Sequence, residues 1–403
     1  MRNYTIIFLL IAAVAVSGCV QGKQVKTDDN NGLVINSFTA EPKTAFPTDS
    51  VSFFLDAENV GSFTSECARA QLFNVDSWRL TDGRKVSDEL EGVPFRGVQV
   101  SPGGISINIV FGRPVSVSVN IPFGDADPIK QQFKDVLCGF NSLGSFSDQL
   151  VKTDIDILPP DVDRNRAGKI FATSWTLFPP VLPEGVSTTF NPKARVYYLY
   201  QSNAIAKIPV LSINEFRRRQ NTGQDTTLVA DISNQHSPVK IALTRGGDRP
   251  IVVDTNPKLL QNFNTQKERS TFVFEMQNVG NGFVTPAEFI DGKQGGFIFG
   301  KIILDGTGVE FSDCLGVTED QHTKEVIVSG DNALLLKMRS DKKVPFACTI
   351  AVDRNVWQTL PQGEVTLRFQ MFYVYNVDAE APVKVVGVES GQTVEEVETG
   401  PPG

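Results

Sequence analysis

Side chains able to do chemistry are few in this chain, and one acidic cluster is the place where spacing alone could do it. Asp161-Val162-Asp163-Arg164-Asn165-Arg166-Ala167-Gly168 puts oxygen-bearing side chains at alternate positions, with Asp154 and Asp156 close by. Alternate Asp and Asn in a loop can converge on Ca²⁺, which takes six to eight oxygens. Asp161, Asp163 and Asn165 are the candidate ligands. Against them, Arg164 and Arg166 neutralise the loop, Arg166 stands where a calcium loop turns on Gly, and no Glu closes it. The expectation is a turn without a metal. His236 and His322 are the only histidines, both in polar stretches, whereas a hydrolytic triad needs a positioned base beside a nucleophile. Gly-x-Ser-x-Gly, P-loop and His-Glu-x-x-His patterns are missing from the sequence. Gly103-Gly104 and Gly295-Gly296 lie between strand-like runs and read as turns. We expect no enzyme and no cofactor.

Cysteine carries the other chemistry. Cys19 ends a leader with Arg2 as its positive start, an apolar run over residues 6–16, and the small residues Ser17-Gly18 before it. The run is too short for a membrane span, which needs roughly twenty residues. Val16-Ser17-Gly18-Cys19 resembles a lipobox, in which the thiol takes a lipid and the leader is cut ahead of it. The resemblance implies a signal peptide over 1–18, lipidation of Cys19, a lipid anchor and polar tether over 19–32, and an extracytoplasmic place on the cell membrane.

Four cysteines remain: Cys67, Cys138, Cys314 and Cys348. An even remainder in an exported chain suggests disulfides, and four thiols allow three connectivities. Two in each half favour Cys67–Cys138 and Cys314–Cys348, with buried free thiols as the alternative. None has the short Cys-x-x-Cys spacing of a zinc site. The formal charge is −8, which argues against a general nucleic-acid binder because phosphate contacts need a basic face. With 41% hydrophobic and 21% charged residues the chain is built to fold. Its length suits two domains of ordinary size or one large one.

The elements that must position these residues are strands, and they recur. Val51-Ser52-Phe53-Phe54-Leu55-Asp56-Ala57-Glu58 runs into Asn59-Val60-Gly61, and Thr271-Phe272-Val273-Phe274-Glu275-Met276-Gln277 runs into Asn278-Val279-Gly280. Asn and Gly both tolerate positive φ, so each is a strand halted by a turn. Further matches follow in order: Leu80-Thr81-Asp82-Gly83 with Leu304-Asp305-Gly306, and Phe171-Ala172-Thr173 with Phe346-Ala347-Cys348. Leu182-Pro183-Glu184-Gly185 then matches Leu360-Pro361-Gln362-Gly363, and Tyr197-Tyr198-Leu199-Tyr200 matches Phe372-Tyr373-Val374-Tyr375. Two related domains are expected, over 33–213 and 238–388, with a linker at 214–237 and an acidic disordered tail at 389–403. Trp175 and Trp357 fall in comparable places before the Leu-Pro turns. Pro238 to Leu243 and Pro250-Ile251-Val252-Val253 read as a hairpin across Gly246-Gly247.

The first repeat carries an insertion between Arg84 and Ile170. It holds a helix expected at 127–137 and two alternating runs, Ile105 to Phe111 and Val115 to Ile121, on either side of Gly112-Arg113-Pro114. Period-two alternation across such a turn gives a hairpin with one apolar face. Ile107, Ile109, Val117 and Val119 lie on that face. It either packs on the core of the first domain or meets a partner or the membrane, and strands of seven to nine residues, marginal for crossing a bilayer, favour a protein partner.

Many strands, Gly, Pro and Asn turns and little helical periodicity point to an all-β chain: two Ig-like antiparallel β-sandwich domains in series, the first with an inserted hairpin and short helix. The opening phrase of strand, Pro, polar turn, apolar strand and Asn-Val-Gly resembles the Ig-like repeats of archaeal and bacterial surface proteins, including the adhesion modules called CARDB. That likeness covers about 30 residues of the first domain and fewer of the second, and it brings no catalytic residues. Together the two resemblances imply a lipid-anchored, non-enzymatic surface protein with a structural or adhesive role and an envelope or surface protein as partner. The alternative is a lipoprotein that binds a sugar or peptide for a membrane machine.

Overall fold

The computed structural model describes residues 27–86, 98–101, 104–111, 115–121, 150–260, 266–285, 296, 298–318, 321–328, 336–338 and 342–388. The leader, Cys19, Cys138, the expected helix at 127–137 and the acidic tail lie outside them. The first strands are β1 (Leu33–Glu41), β2 (Thr44–Ala45), β3 (Val51–Asn59) and β4 (Ser65–Phe73). The insertion contributes β5 (Val98–Ser101), β6 (Gly104–Phe111) and β7 (Val115–Ile121). Next come β8 (Val151–Ile157), β9 (Ile170–Leu177), β10 (Ser187–Phe190), the 20-residue β11 (Lys193–Ser212) and helix α1 (Ile213–Thr222). The second half follows with β12 (Asp231–Asn234), β13 (Val239–Arg245), β14 (Ile251–Val253), α2 (Pro257–Leu260), β15 (Lys267–Asn278) and β16 (Phe283–Thr285). It ends with β17 (Phe299–Asp305), β18 (Val309–Cys314), β19 (Val317–Thr318), β20 (Glu325–Val328), β21 (Lys343–Asp353), β22 (Gln362–Glu380) and β23 (Val383–Val386).

The chain is all-β, and its sheets follow from alternation. Val51, Phe53, Leu55 and Ala57 of β3 are buried while the residues between them are not, and Phe272, Phe274 and Met276 of β15 repeat the pattern. A sheet with one apolar face must cover it with another layer. The outer layers are β1-β3-β9 in the first half and β13-β15-β21-β18-β19 in the second. Both pack on a central sheet ordered β20-β17-β22-β11-β4-β8. Phe53 meets Trp78 edge-on with centroids 5.5 Å apart, and Phe274 meets Phe369 of β22 at 5.1 Å. Such aromatic pairs add about 0.5–1.5 kcal/mol beyond their burial.

The central sheet belongs to both halves. β11 and β22 pair antiparallel from Lys193–Glu380 to Leu211–Gln362 without a slip. The same register continues between β10 and β23, from Phe190–Val383 to Ser187–Val386. Met371 to Val377 is buried throughout, which is why Met371 to Tyr375 reads as a continuous run of apolar and aromatic residues without polar alternation. One hydrophobic core runs through both halves.

Two expectations meet a different structure. Residues 214–237, expected as a linker, hold most of α1 and all of β12, which pairs with Ala204–Lys207 of β11. Ser212 caps α1 by accepting from the Glu215 N–H at 3.3 Å, and Gly223 ends it in the left-handed conformation at φ 66°. β13 and β14 do not form a hairpin. β13 bulges at Leu243/Arg245 against β15, and β14 leaves to run parallel to β11 at Val210–Ser212.

Candidate functional site

Four tyrosines meet where the halves join. The register pairs Tyr198 with Tyr375 and Tyr200 with Tyr373, so all four side chains gather on one face of the β11–β22 pair. Their rings touch in a closed cycle, with centroids 5.6 Å apart for Tyr198–Tyr200, 5.8 Å for Tyr198–Tyr375, 6.1 Å for Tyr373–Tyr375 and 6.5 Å for Tyr200–Tyr373. All four are buried, and desolvation pushes every phenol well above its ordinary range.

Each buried hydroxyl has a partner, as it must. The Leu33 N–H donates to Tyr198 at 3.1 Å, and the Phe63 N–H donates to Tyr200 at 3.2 Å. In the second half the Gly282 N–H donates to Tyr375 at 2.9 Å, and Tyr375 donates to Asn278 Oδ1 at 2.8 Å. Tyr373 lies 2.6 Å from Ser202 Oγ. The two Asn-Val-Gly turns are held alike. Asn59 Nδ2 donates to the Phe63 carbonyl and Asn278 Nδ2 to the Gly282 carbonyl, while Gly61 and Gly280 return their N–H groups to those Asn side chains at 3.1 Å. A Cβ on Gly61 would come within 2.0 Å of the Tyr200 hydroxyl, and one on Gly280 within 2.5 Å of the Tyr375 hydroxyl.

The end of the expected tether, residues 28–32, is docked between these turns. Val60 and Gly61 donate to the Gly32 carbonyl, and Asp28 donates back to Val60 at 3.0 Å. On the other side Ser237 donates to the Asp29 carbonyl, and Asn281 donates to Asn31 Oδ1 at 3.1 Å. His236 Nε2 sits 2.9 Å from Asp29 Oδ1. Residues 28–32 thus touch both halves. His322 faces Glu310 at 3.1 Å, far along the chain from His236.

The other candidates are distributed as follows. Asp161 and Arg166 exchange both backbone hydrogen bonds, Asn165 turns the chain at φ 51°, and the Asp161 carboxylate accepts from the Arg164 N–H at 3.1 Å. This is a tight turn. No group of three or more His, Cys, Asp or Glu that could hold a metal ion occurs among the described residues. Cys314 and Cys348 form a disulfide across β18 and β21. Cys67 is disulfide-bonded too, to a residue outside the described ones. In the insertion, Ile107 pairs with Val119 and Ile109 with Val117, and β5 adds a third strand through Val98–Ile107. These three strands pair only with one another among the described residues. A shallow cleft lined by Phe63, Thr64, Glu66, Leu199, Tyr200 and Gln201 holds about 150 Å³, below the ~300 Å³ at which small-molecule sites begin.

Comparison with known proteins adds little. No family model matches the chain, and no curated relative does. Among solved structures, E. coli alpha-2-macroglobulin in its native conformation is 7% identical, with a TM-score of 0.12, and the alignment covers 88% of this chain but 17% of that one. The collagen adhesin (CNA) from S. aureus is 6% identical at a TM-score of 0.12, covering 90% of this chain and 95% of that one. The Enterococcus faecalis MSCRAMM ACE, described as binding its ligands by the collagen hug model, is 8% identical at 0.10, covering 88% and 96%. Superpositions this poor carry no argument about either fold or role.

Proposed function

We propose that this chain is a lipid-anchored, non-enzymatic cell-surface protein with a structural or adhesive role, held to the membrane through Cys19. The observation that supports it best is the unbroken β11–β22 ladder. Force applied between the two halves along these strands loads many hydrogen bonds in shear at once, because antiparallel bonds lie perpendicular to the strands. Separate modules joined by a flexible linker would yield at the linker first. The body is suited to hold a partner at a fixed place near a membrane. The partner is an envelope or surface protein, met through the sheet of the insertion around Ile107, Ile109, Val117 and Val119.

Cross-linking at the intact cell surface, followed by mass spectrometry, tests this reading. The expected result is a recurring protein cross-linked to the insertion, and its loss when Ile107 and Val117 are both replaced by Ser in a variant that melts like the parent. Cross-links to the insertion that are unchanged in such a variant would contradict the proposed contact.

A further inference from the structure

The internal repeat and the strand register together define an axis. Tyr198 and Tyr200 correspond to Tyr373 and Tyr375 in the repeat, while in the sheet Tyr198 pairs with Tyr375 and Tyr200 with Tyr373. Both relations hold at once only if the halves are related by a two-fold rotation. Leu199 and Val374 are each other's repeat equivalents and each other's pairing partners, so they lie on the axis. Distant elements obey the same relation. Val60 and Gly61 donate to the Gly32 carbonyl as Val279 and Gly280 donate to that of Pro238. Ala45 pairs with Val385 in parallel as Ile251 pairs with Val210.

The docked N-terminal segment leaves the body beside this axis. Its residues touch both Asn-Val-Gly turns, and Leu33 is bonded to Tyr198, one residue from the axis. Nine residue steps separate Cys19 from Asp28, a chain that spans at most about 30 Å fully extended and about 17 Å as a flexible coil. The ends of the body are farther off. Val186 and Ser212 each lie thirteen positions from Leu199, and at ~3.3 Å per residue that is about 43 Å on either side. A body standing on one end would hold its axis beyond the reach of the tether.

We infer, resting on lipidation of Cys19, that the protein lies along the membrane with its two-fold axis toward the bilayer and its halves spread equally to either side. The bilayer surface then faces the residues around the exit. Leu158 and Lys169 flank the first turn, where Lys169 accepts from the Asn59 N–H and donates its own N–H to the Leu158 carbonyl. Val279, Phe283 and Lys342 flank the second, where Lys342 accepts from the Asn278 N–H and sets its ammonium 5.2 Å from the Phe283 ring centre. Leu158, Phe283 and Val279 are exposed. Apolar side chains beside lysine stems suit the boundary between headgroups and acyl chains. An arrangement in series, standing off the membrane, is replaced by a low body with two arms.

The test uses the full lipidated chain in phosphatidylcholine vesicles that carry a headgroup-attached quencher. A fluorescent amino acid is placed singly at Val279, beside the exit, at Val186, at the end of the first half, or at Arg217 in α1, at the end of the second. The expected result is severalfold stronger quenching at Val279 than at either end, with the two ends alike. Strong quenching at one end and none at the other overturns the inference, as does vesicle-bound protein quenched nowhere. Flotation of Cys19→Ser separates the premise from the inference. If that variant floats with vesicles as the parent does, the anchor reading fails and this one fails with it. If only the parent floats, the quenching pattern judges orientation alone.

Discussion

Leu199 pairs with Val374 at the centre of the β11–β22 ladder, and the same two residues are equivalents in the internal repeat. Each long strand therefore serves both halves. Lys193 to Tyr197 of β11 pair with β4 of the first half, whereas Ala204 to Lys207 pair with β12 and Val210 to Ser212 with β14 of the second. In return β23, the last strand, completes a sheet between β10 and β2 of the first half.

The halves should consequently unfold together. Calorimetry of the chain is expected to give one transition whose van't Hoff and calorimetric enthalpies agree. A fragment ending at Gly223 should fail to fold, because it lacks the β22 and β23 partners of β11 and β10. Two separated transitions would show that the shared sheet does not couple the halves.

Gly61→Ala and Gly280→Ala should destabilise to similar degrees. Each new methyl meets a buried tyrosine hydroxyl, and overpacking of this kind costs about 1–3 kcal/mol. Denaturant midpoints of the two variants measure it. A change at Gly61 alone would break the equivalence of the turns.

Alkali should open the junction. Burial raises the pKa of Tyr198, Tyr200, Tyr373 and Tyr375 in the folded chain, so the folded state keeps protons that the unfolded state gives up above about pH 10. Their contribution is complete below that pH and is lost as pH rises toward the folded values. Each group contributes about 1.4 kcal/mol per pH unit in that window. Stability followed by urea titration between pH 8 and pH 12 should be flat and then fall steeply, with phenolate absorbance rising only on unfolding. Phenolate absorbance appearing near pH 10 in folded protein would contradict this burial.

The Cys314–Cys348 bridge closes a loop of 34 residues, for which the chain-entropy relation gives about 4 kcal/mol. Replacing both cysteines by Ala should lower stability by up to that amount at neutral pH, as read from the denaturant midpoint. An unchanged midpoint would mean that the bridge adds nothing to a β18–β21 pairing already in place.

The strands were legible because alternation and Asn-Val-Gly turns are local. Their pairing was not, since register depends on partners far along the chain. Leu80 and Leu304 look alike in sequence, yet Leu304 sits in β17 of the central sheet while Leu80 lies in a turn bonded to Arg84. Phe171 pairs with Ala57 and Phe346 with Phe274, two positions apart when Asn59 is set on Asn278. On that alignment Trp175 falls on Cys348, not on Trp357, so a ring in one half stands where a disulfide stands in the other. Helix α1 left a trace that could have been read: Ser212 with Glu215 three residues on, and Gly223 at the end. The tyrosine cluster was visible only as a repeated phrase, because nothing local says that its two copies face each other. Docking of residues 28–32 left no mark at all, since Asp, Asn and Gly suit a free tether equally well.

Membrane attachment through Cys19 is the claim on which the proposed role rests most, and lipid labelling with fractionation measures it directly. Wild-type chain grown with a radiolabelled lipid precursor should carry label and sediment with membranes. The Cys19→Ser chain should carry none, and should either keep its leader or leave the membrane fraction. Equal labelling and equal sedimentation of the two chains would contradict the account.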